Sequence, residues 1–204
     1  MRPRGPELFC ALLYATTLLA ESPQPGISVC IDRAAAVKFE ILAGAKRTAV
    51  QLFEGIGVRL RFVCDRTPDA SNREIVMRIA DRTDPGFLRR ALGFARPYAR
   101  SGVRVTIFYD RVEEVQRGRD DAGVILGHTM THELTHVLEA EDAHADNGIM
   151  RSRWDERDFE AMRVGELYFS EADVRAIHGN LGAFTLPDTS HCMRAAAECS
   201  PAGN

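Results

Sequence analysis

The stretch that most constrains this chain is His132-Glu133-Leu134-Thr135-His136, set inside the proline-free run Val124 to Leu138. On an α-helix, residues four apart differ by about 40° around the axis, so the two imidazoles meet one point from successive turns. Neutral imidazole nitrogens bind zinc at roughly 2.0–2.1 Å, and two of them cover half of a tetrahedral shell. Glu133 is turned by about 100° from His132 and can reach a water in the site without being a ligand. Leu126, Met130, Leu134 and Val137 gather on the side opposite His132, so the run is predicted to be a helix whose histidines look out of the core. Gly127 is its weak point by helix propensity.

The spacing H-E-x-x-H is the device of zinc hydrolases, with the glutamate as general base. The bland alternative is a surface helix with two incidental histidines, and the residues just downstream weigh against it. His144 and Asp142 offer a third ligand, and Met150 is a buried-type residue close beyond them. His128, one turn ahead of His132, is expected to face water or to support the site rather than to ligate.

A chain of 204 residues suffices for one domain with a real core. Charged residues make up 27% and the net charge is -3, so nothing points to nucleic acid or an anionic membrane as partner. At the N-terminus, Arg2 and Arg4 precede the apolar run Leu8 to Ala20, which is too short to span a bilayer. Residues 1–20 therefore read as a signal peptide for a secreted or periplasmic protein, with an uncleaved anchor or a buried helix as the alternatives. Only Glu21 to Gly26 separate that segment from the first strand, which leaves no room for an inhibitory pro-segment. After signal removal no membrane span and a monomer are expected. Cys30, Cys64, Cys192 and Cys199 then remain, an even set that favours two disulfides in an exported chain. Cys30–Cys64 and Cys192–Cys199 are the favoured pairs of the three possible connectivities. Zinc binding by these cysteines competes with that reading, but no C-x-x-C spacing supports it.

Ile27 to Ile31 is a short β-type run, and Ala34 to Gly55 has the three- and four-residue apolar intervals of a helix. Val58 to Val63 alternates apolar and basic residues like a half-buried strand. The β-α-β order implies a parallel pair. Asp65 to Arg73 reads as a loop, Ile75 to Ile79 as a third strand and Asp84-Pro85-Gly86 as a turn. Leu92 to Ala95 is a short extended piece before Pro97, which lacks a ladder donor and so suits a sheet edge. Val103 to Tyr109 is the clearest strand, and Asp110 to Asp121 is charged and loop-like. Ser170 with Asp173 marks the start of a last helix, Glu171 to Leu181. Gly182 to Asn204 reads as an irregular tail, clipped by Cys192–Cys199, with at most a turn of helix at Met193 to Glu198.

The order β-α-β-β-(edge β)-β-helix-turn-helix over Ile27 to Leu181 resembles the catalytic domain of the metzincin zinc peptidases, and its edge piece resembles that of the matrixins. It is also similar to a group of uncharacterised exported bacterial proteins. They share an L-G-F-A piece, an F-Y-D-R-V strand end, a leucine-rich H-E-x-G-H helix and an H-S-x-x-G-I-M-R-x-x-W segment. These correspond here to Leu92–Ala95, Phe108–Val112, Leu126–Leu138 and His144–Trp154.

The resemblance implies an α+β, metzincin-like (zincin) fold: a twisted mixed sheet of about five strands, an active-site helix, a Met-turn at Met150 and a C-terminal helix. It implies a Zn2+ cofactor and a peptide or protein substrate bound as an added strand along Gly93, Phe94 and Ala95. The usual metzincin spacing puts Asp142 in the third-ligand slot, whereas the bacterial group lengthens the spacer by two residues and puts His144 there. His144 is favoured and Asp142 stays open, either as ligand or as an acceptor for an imidazole N–H. The group has Gly where this chain has Ala140. A left-handed non-glycine residue costs of order 1 kcal/mol, so a differently built turn is expected at that point. The expected activity is that of an exported zinc metalloendopeptidase. A non-catalytic zinc-binding module and a cell-envelope amidase are the alternatives.

Overall fold

A computed structural model describes residues 25–33, 37–63, 74–83, 86, 91–99, 102–117 and 121–184. The signal segment, the loop from Asp65 to Arg73, Asp84 and Pro85 of the expected turn, the tail beyond Phe184 and Cys64, Cys192 and Cys199 lie outside them. Cys30 lies within, on the first strand.

Five strands, β1 (Gly26–Arg33), β2 (Arg59–Phe62), β3 (Glu74–Ala80), β4 (Gly93–Ala95) and β5 (Val103–Phe108), form one sheet in the order β2-β1-β3-β5-β4. β1 lies parallel to β2 and β3, and β3 parallel to β5, while β4 runs antiparallel to β5. Alternation decides which face is covered. Leu60 of β2 and Ile75, Met77 and Ile79 of β3 are buried at every second position. β4 is short and ends just before Pro97, and it occupies an edge of the sheet as the missing N–H requires. Its outer backbone groups face away from β5.

Helix α1 (Phe39–Glu54) buries Ala45, Ala49 and Phe53, one residue per turn. It begins after the Ala34 expected from periodicity, and residues 34–36 lie outside the described set. Its small residues lie against α3 (Ala122–Glu139), the motif helix. A Cβ added to Gly127 would stand 2.6 Å from Thr48 Cβ and 2.7 Å from the Ala45 carbonyl oxygen. Gly127, a fault by propensity, is therefore the point where the two helices come closest. Its cost of about 1 kcal/mol against alanine is offset by that approach.

Two expectations are corrected. The segment from Asp110 is helical, not a loop: α2 spans Tyr109–Gln116, and Tyr109 opens this helix instead of ending β5. Buried Tyr109 and Val112 form a narrow apolar stripe that the surrounding charges obscure in the sequence. The Asp110 carboxylate accepts from the Thr83 N–H at 3.0 Å and its hydroxyl at 2.9 Å, tying the helix start to the end of β3. Secondly, the histidines of α3 do not look out of the core. Every residue from Ile125 to Leu138 is buried, with His132 8% and His136 5% exposed.

Beyond α3, helix α4 (Glu156–Val164) and helix α5 (Glu171–Asn180) each begin with a reciprocal capping box, Asp155 with Asp158 and Ser170 with Asp173. A 3-10 turn, Leu181–Ala183, follows α5. Among the described residues, no helix is long and apolar enough to cross a membrane.

Candidate metal centre

His132 and His136 leave α3 on one side, and each ring is oriented through its far nitrogen. His132 Nδ1 lies 2.8 Å from the Ile149 carbonyl oxygen, and His136 Nδ1 lies 3.1 Å from that of Glu141. A carbonyl only accepts, so both Nδ1 atoms carry the proton and donate. Both Nε2 lone pairs then point inward, and these two atoms are 3.2 Å apart. Two lone pairs at that distance repel unless a cation lies between them. Ligands roughly 2.0–2.1 Å from a tetrahedral zinc ion stand about 3.3–3.4 Å from one another, close to the separation found here.

The third imidazole arrives from the bend after α3. Ala140 takes the left-handed conformation, φ 56° and ψ 36°, and its N–H returns to the His136 carbonyl. The turn is thus the one a glycine would make, and the expectation of a different build is not met. The chain doubles back until the Ala145 N–H donates to the Met150 carbonyl oxygen at 2.8 Å. His144 is thereby placed with its ring centroid 5.3 Å from that of His132 and 4.8 Å from that of His136. One ligand atom from each of the three histidines falls within 4.8 Å of the other two. Asp142 stands outside this group. It is exposed, and its charge opposes the fall in pKa at His136 and His144.

Electrostatics keep the rings in the metal-binding form. Burial, aided by the neighbouring His136, pushes His132 down to about 3. Burial and then His144 push His136 down to about 4, and burial lowers His144 as well. Neutral imidazoles with inward lone pairs are a donor set for a borderline-soft divalent ion.

Glu133 lies beside the trio, 6% exposed, and burial pushes its carboxyl up to about 8. It lies against the edge strand. A Cβ on Gly93 would stand 3.0 Å from Glu133 Cγ and Oε1 and 2.8 Å from the Thr106 carbonyl oxygen. The expected base and the first residue of the expected substrate strand therefore touch. Phe94 and Ala95, the rest of that strand, are half-buried. Met150 is buried in the core next to Ile149, whose carbonyl orients His132.

His128 lies outside the converging trio, as expected of a non-ligand, but the water-facing alternative is not met. It is 2% exposed and faces no water, and its Nδ1 lies 2.9 Å from the Val124 carbonyl oxygen of its own helix. Trp154, the last residue of the segment that resembles the bacterial group, carries no expected role in the site, yet its ring meets His132 edge-on at 5.5 Å. Its being the chain's lone tryptophan, so near the motif, was the available signal. The carbonyls of Glu141 and Ile149 carry no sequence signal at all.

No family model matches the sequence, and no curated protein is significantly similar to it. Among solved structures, archaemetzincin from Methanopyrus kandleri is similar in fold, with a TM-score of 0.51 and 13% sequence identity over 80% of this chain and 99% of that one. Myroilysin is similar more loosely, with a TM-score of 0.36 and 17% identity over 80% of this chain and 69% of that one. The likeness to archaemetzincin bears out the expected metzincin-like fold.

Proposed function

We propose that this chain is an exported zinc-dependent metallopeptidase that cleaves within peptide chains. The observation that carries the reading is the convergence of His132, His136 and His144 beside a buried Glu133, at the edge strand of the sheet. Bound by these nitrogens, zinc would supply Lewis acidity, lowering the pKa of water and polarising a carbonyl.

The remaining work falls to the chain. Glu133 takes the proton of the attacking water at its carboxylate and then hands it to the leaving amine. Burial alone raises its carboxyl to about 8, and the positive charge of zinc bound beside it would favour the carboxylate form that accepts the proton. Ile149 and Glu141 hold the two helical imidazoles in one tautomer, so the inward nitrogens stay free to bind. β4 offers its outer backbone groups to an extended peptide, which would add to the sheet beside Glu133. Gly93 has no side chain to keep that peptide or Glu133 away. Met150 closes the turn beneath the site, and Asp142 lends negative charge to His136 and His144 without ligating. Export rests on the charged start and apolar run of residues 1–20, and in an oxidising compartment Cys30–Cys64 and Cys192–Cys199 would form.

The test combines metal analysis of the purified mature chain with a peptide-library digest, with and without chelator. One zinc per chain and chelator-sensitive cleavage are expected. Glu133→Gln should keep the zinc and lose on the order of 10²–10⁴ in kcat/KM. Cleavage undiminished in that variant would remove the base assignment. Zinc without turnover would leave a binding module.

A further inference from the structure

Arg104 is a buried charged residue that the proposed chemistry leaves unused. The pairing of β3 with β5 slips beside it: Val76 faces Val103, but Met77 faces Val105. Arg104 is the extra residue of a bulge, and bulges re-aim side chains. Here Arg104 and Val105, consecutive on the strand, are both buried.

Arg104 as a residue is 8% exposed, and its guanidinium packs 5.3 Å over the Phe184 ring and donates from Nη2 to the Pro97 carbonyl oxygen at 3.0 Å. Its Nε is buried and has no hydrogen-bond partner among the described residues. Burial lowers its pKa, and among the described residues no neighbouring carboxylate acts against that fall. A buried charge without a counter-charge is costly, and a guanidinium fork matches a carboxylate. Beside Arg104 lies an open surface pocket of about 480 Å³, lined also by Pro97, Tyr98, Ala99, Ala140, Ala183 and Phe184. Arg104 is the only charged residue among those that line it.

The position of this pocket links it to the edge strand. β4 leads from Gly93, against Glu133, to Pro97 and Tyr98 of the pocket. Four extended residues span roughly 13 Å. We propose that the Arg104 pocket is a subsite for a carboxylate carried by a peptide lying along β4, three or four residues from the scissile bond. The carboxylate comes from an Asp or Glu side chain or from the peptide's own terminus. The link to cleavage rests on the peptidase reading, whereas the carboxylate site does not.

Binding to the full, metal-free chain tests the site. The probes are a six-residue peptide blocked at both ends with a single Glu, its Gln twin, and that twin with a free C-terminal carboxylate. At least one carboxylate-bearing probe should bind about tenfold more tightly than the blocked Gln twin, and which of them does so identifies the source. Arg104→Met should remove the preference. Should that variant not fold, Ala183→Trp fills the pocket from an exposed position and should remove it too. Equal binding of all three probes, or a preference that survives both substitutions, overturns the proposal. With zinc-loaded protein, the ratio of kcat/KM for the carboxylate probe that binds more tightly over the blocked Gln twin should be about ten in the wild type and near one in Arg104→Met. Cleavage with no such ratio sinks the subsite alone. Carboxylate preference in binding, with no peptide cleaved, sinks the peptidase reading and leaves the site standing.

Discussion

Gly93 shows how much of this site is decided at single positions. A methyl group there would meet a backbone oxygen at 2.8 Å, which cannot yield, and Glu133 at 3.0 Å, which would have to move. Displacing a catalytic group by even 1 Å can cost about 10²-fold in rate. Gly93→Ala is therefore expected to lower kcat/KM by about that factor while zinc content stays at the wild-type level, as metal analysis of the same preparation would show. The third ligand is decided in the same way. His144→Ala should release zinc at chelator concentrations that leave Asp142→Ala loaded, and the reverse order would return the slot to the carboxylate. His132, Glu133 and His136 were legible because a four-residue interval on a helix already encodes their geometry. His144 was legible only through likeness, since nothing in its spacing says where a bend will carry it. Main-chain acceptors such as the Ile149 carbonyl were not legible, because every residue has one.

At the scale of elements, the end of α3 matters most. Ala140 holds a left-handed conformation that an L-residue reaches only at a cost, and among the described residues it is the sole non-glycine with positive φ. The bend that delivers His144 outweighs that local strain. Ala140→Gly should raise unfolding free energy by about 1 kcal/mol in a denaturant titration, less the entropy that glycine adds to the unfolded chain, with zinc binding kept. Strands and long helices were readable from period, because β3 and α1 each carry their apolar residues at one interval. α2 and α4 were not, being short and densely charged. Even so, the Asp155 and Asp158 pair that caps α4 was present as a start signal, equivalent to the Ser170 and Asp173 pair that was read correctly.

For the molecule as a whole, the junction of α3 with α5 sets a dependence on pH. Glu139 lies there with Oε1 buried and unpartnered among the described residues. Burial, then the charges of Asp173 on α5 and of Glu141, push it up from 4.5 to about 7. Between those values the folded chain holds a proton that the unfolded chain has released, so stability falls as pH rises through that window. Glu139→Gln should melt above the wild type at pH 8, and the gap should shrink at pH 5. An equal gap at both would place the strain elsewhere. The order of the strands and of α1, α3 and α5 could be read from the chain, and the overall architecture followed through likeness. The enclosure of α3 could not be read, because the pattern of one helix does not reveal what covers its polar side. That enclosure has a consequence for the life of the centre. Two of the three imidazoles stand on a helix clamped all round, while the last stands on an exposed bend. If zinc binds here, two of its ligands are held by the core and only the bend that carries His144 is left to adjust around the ion.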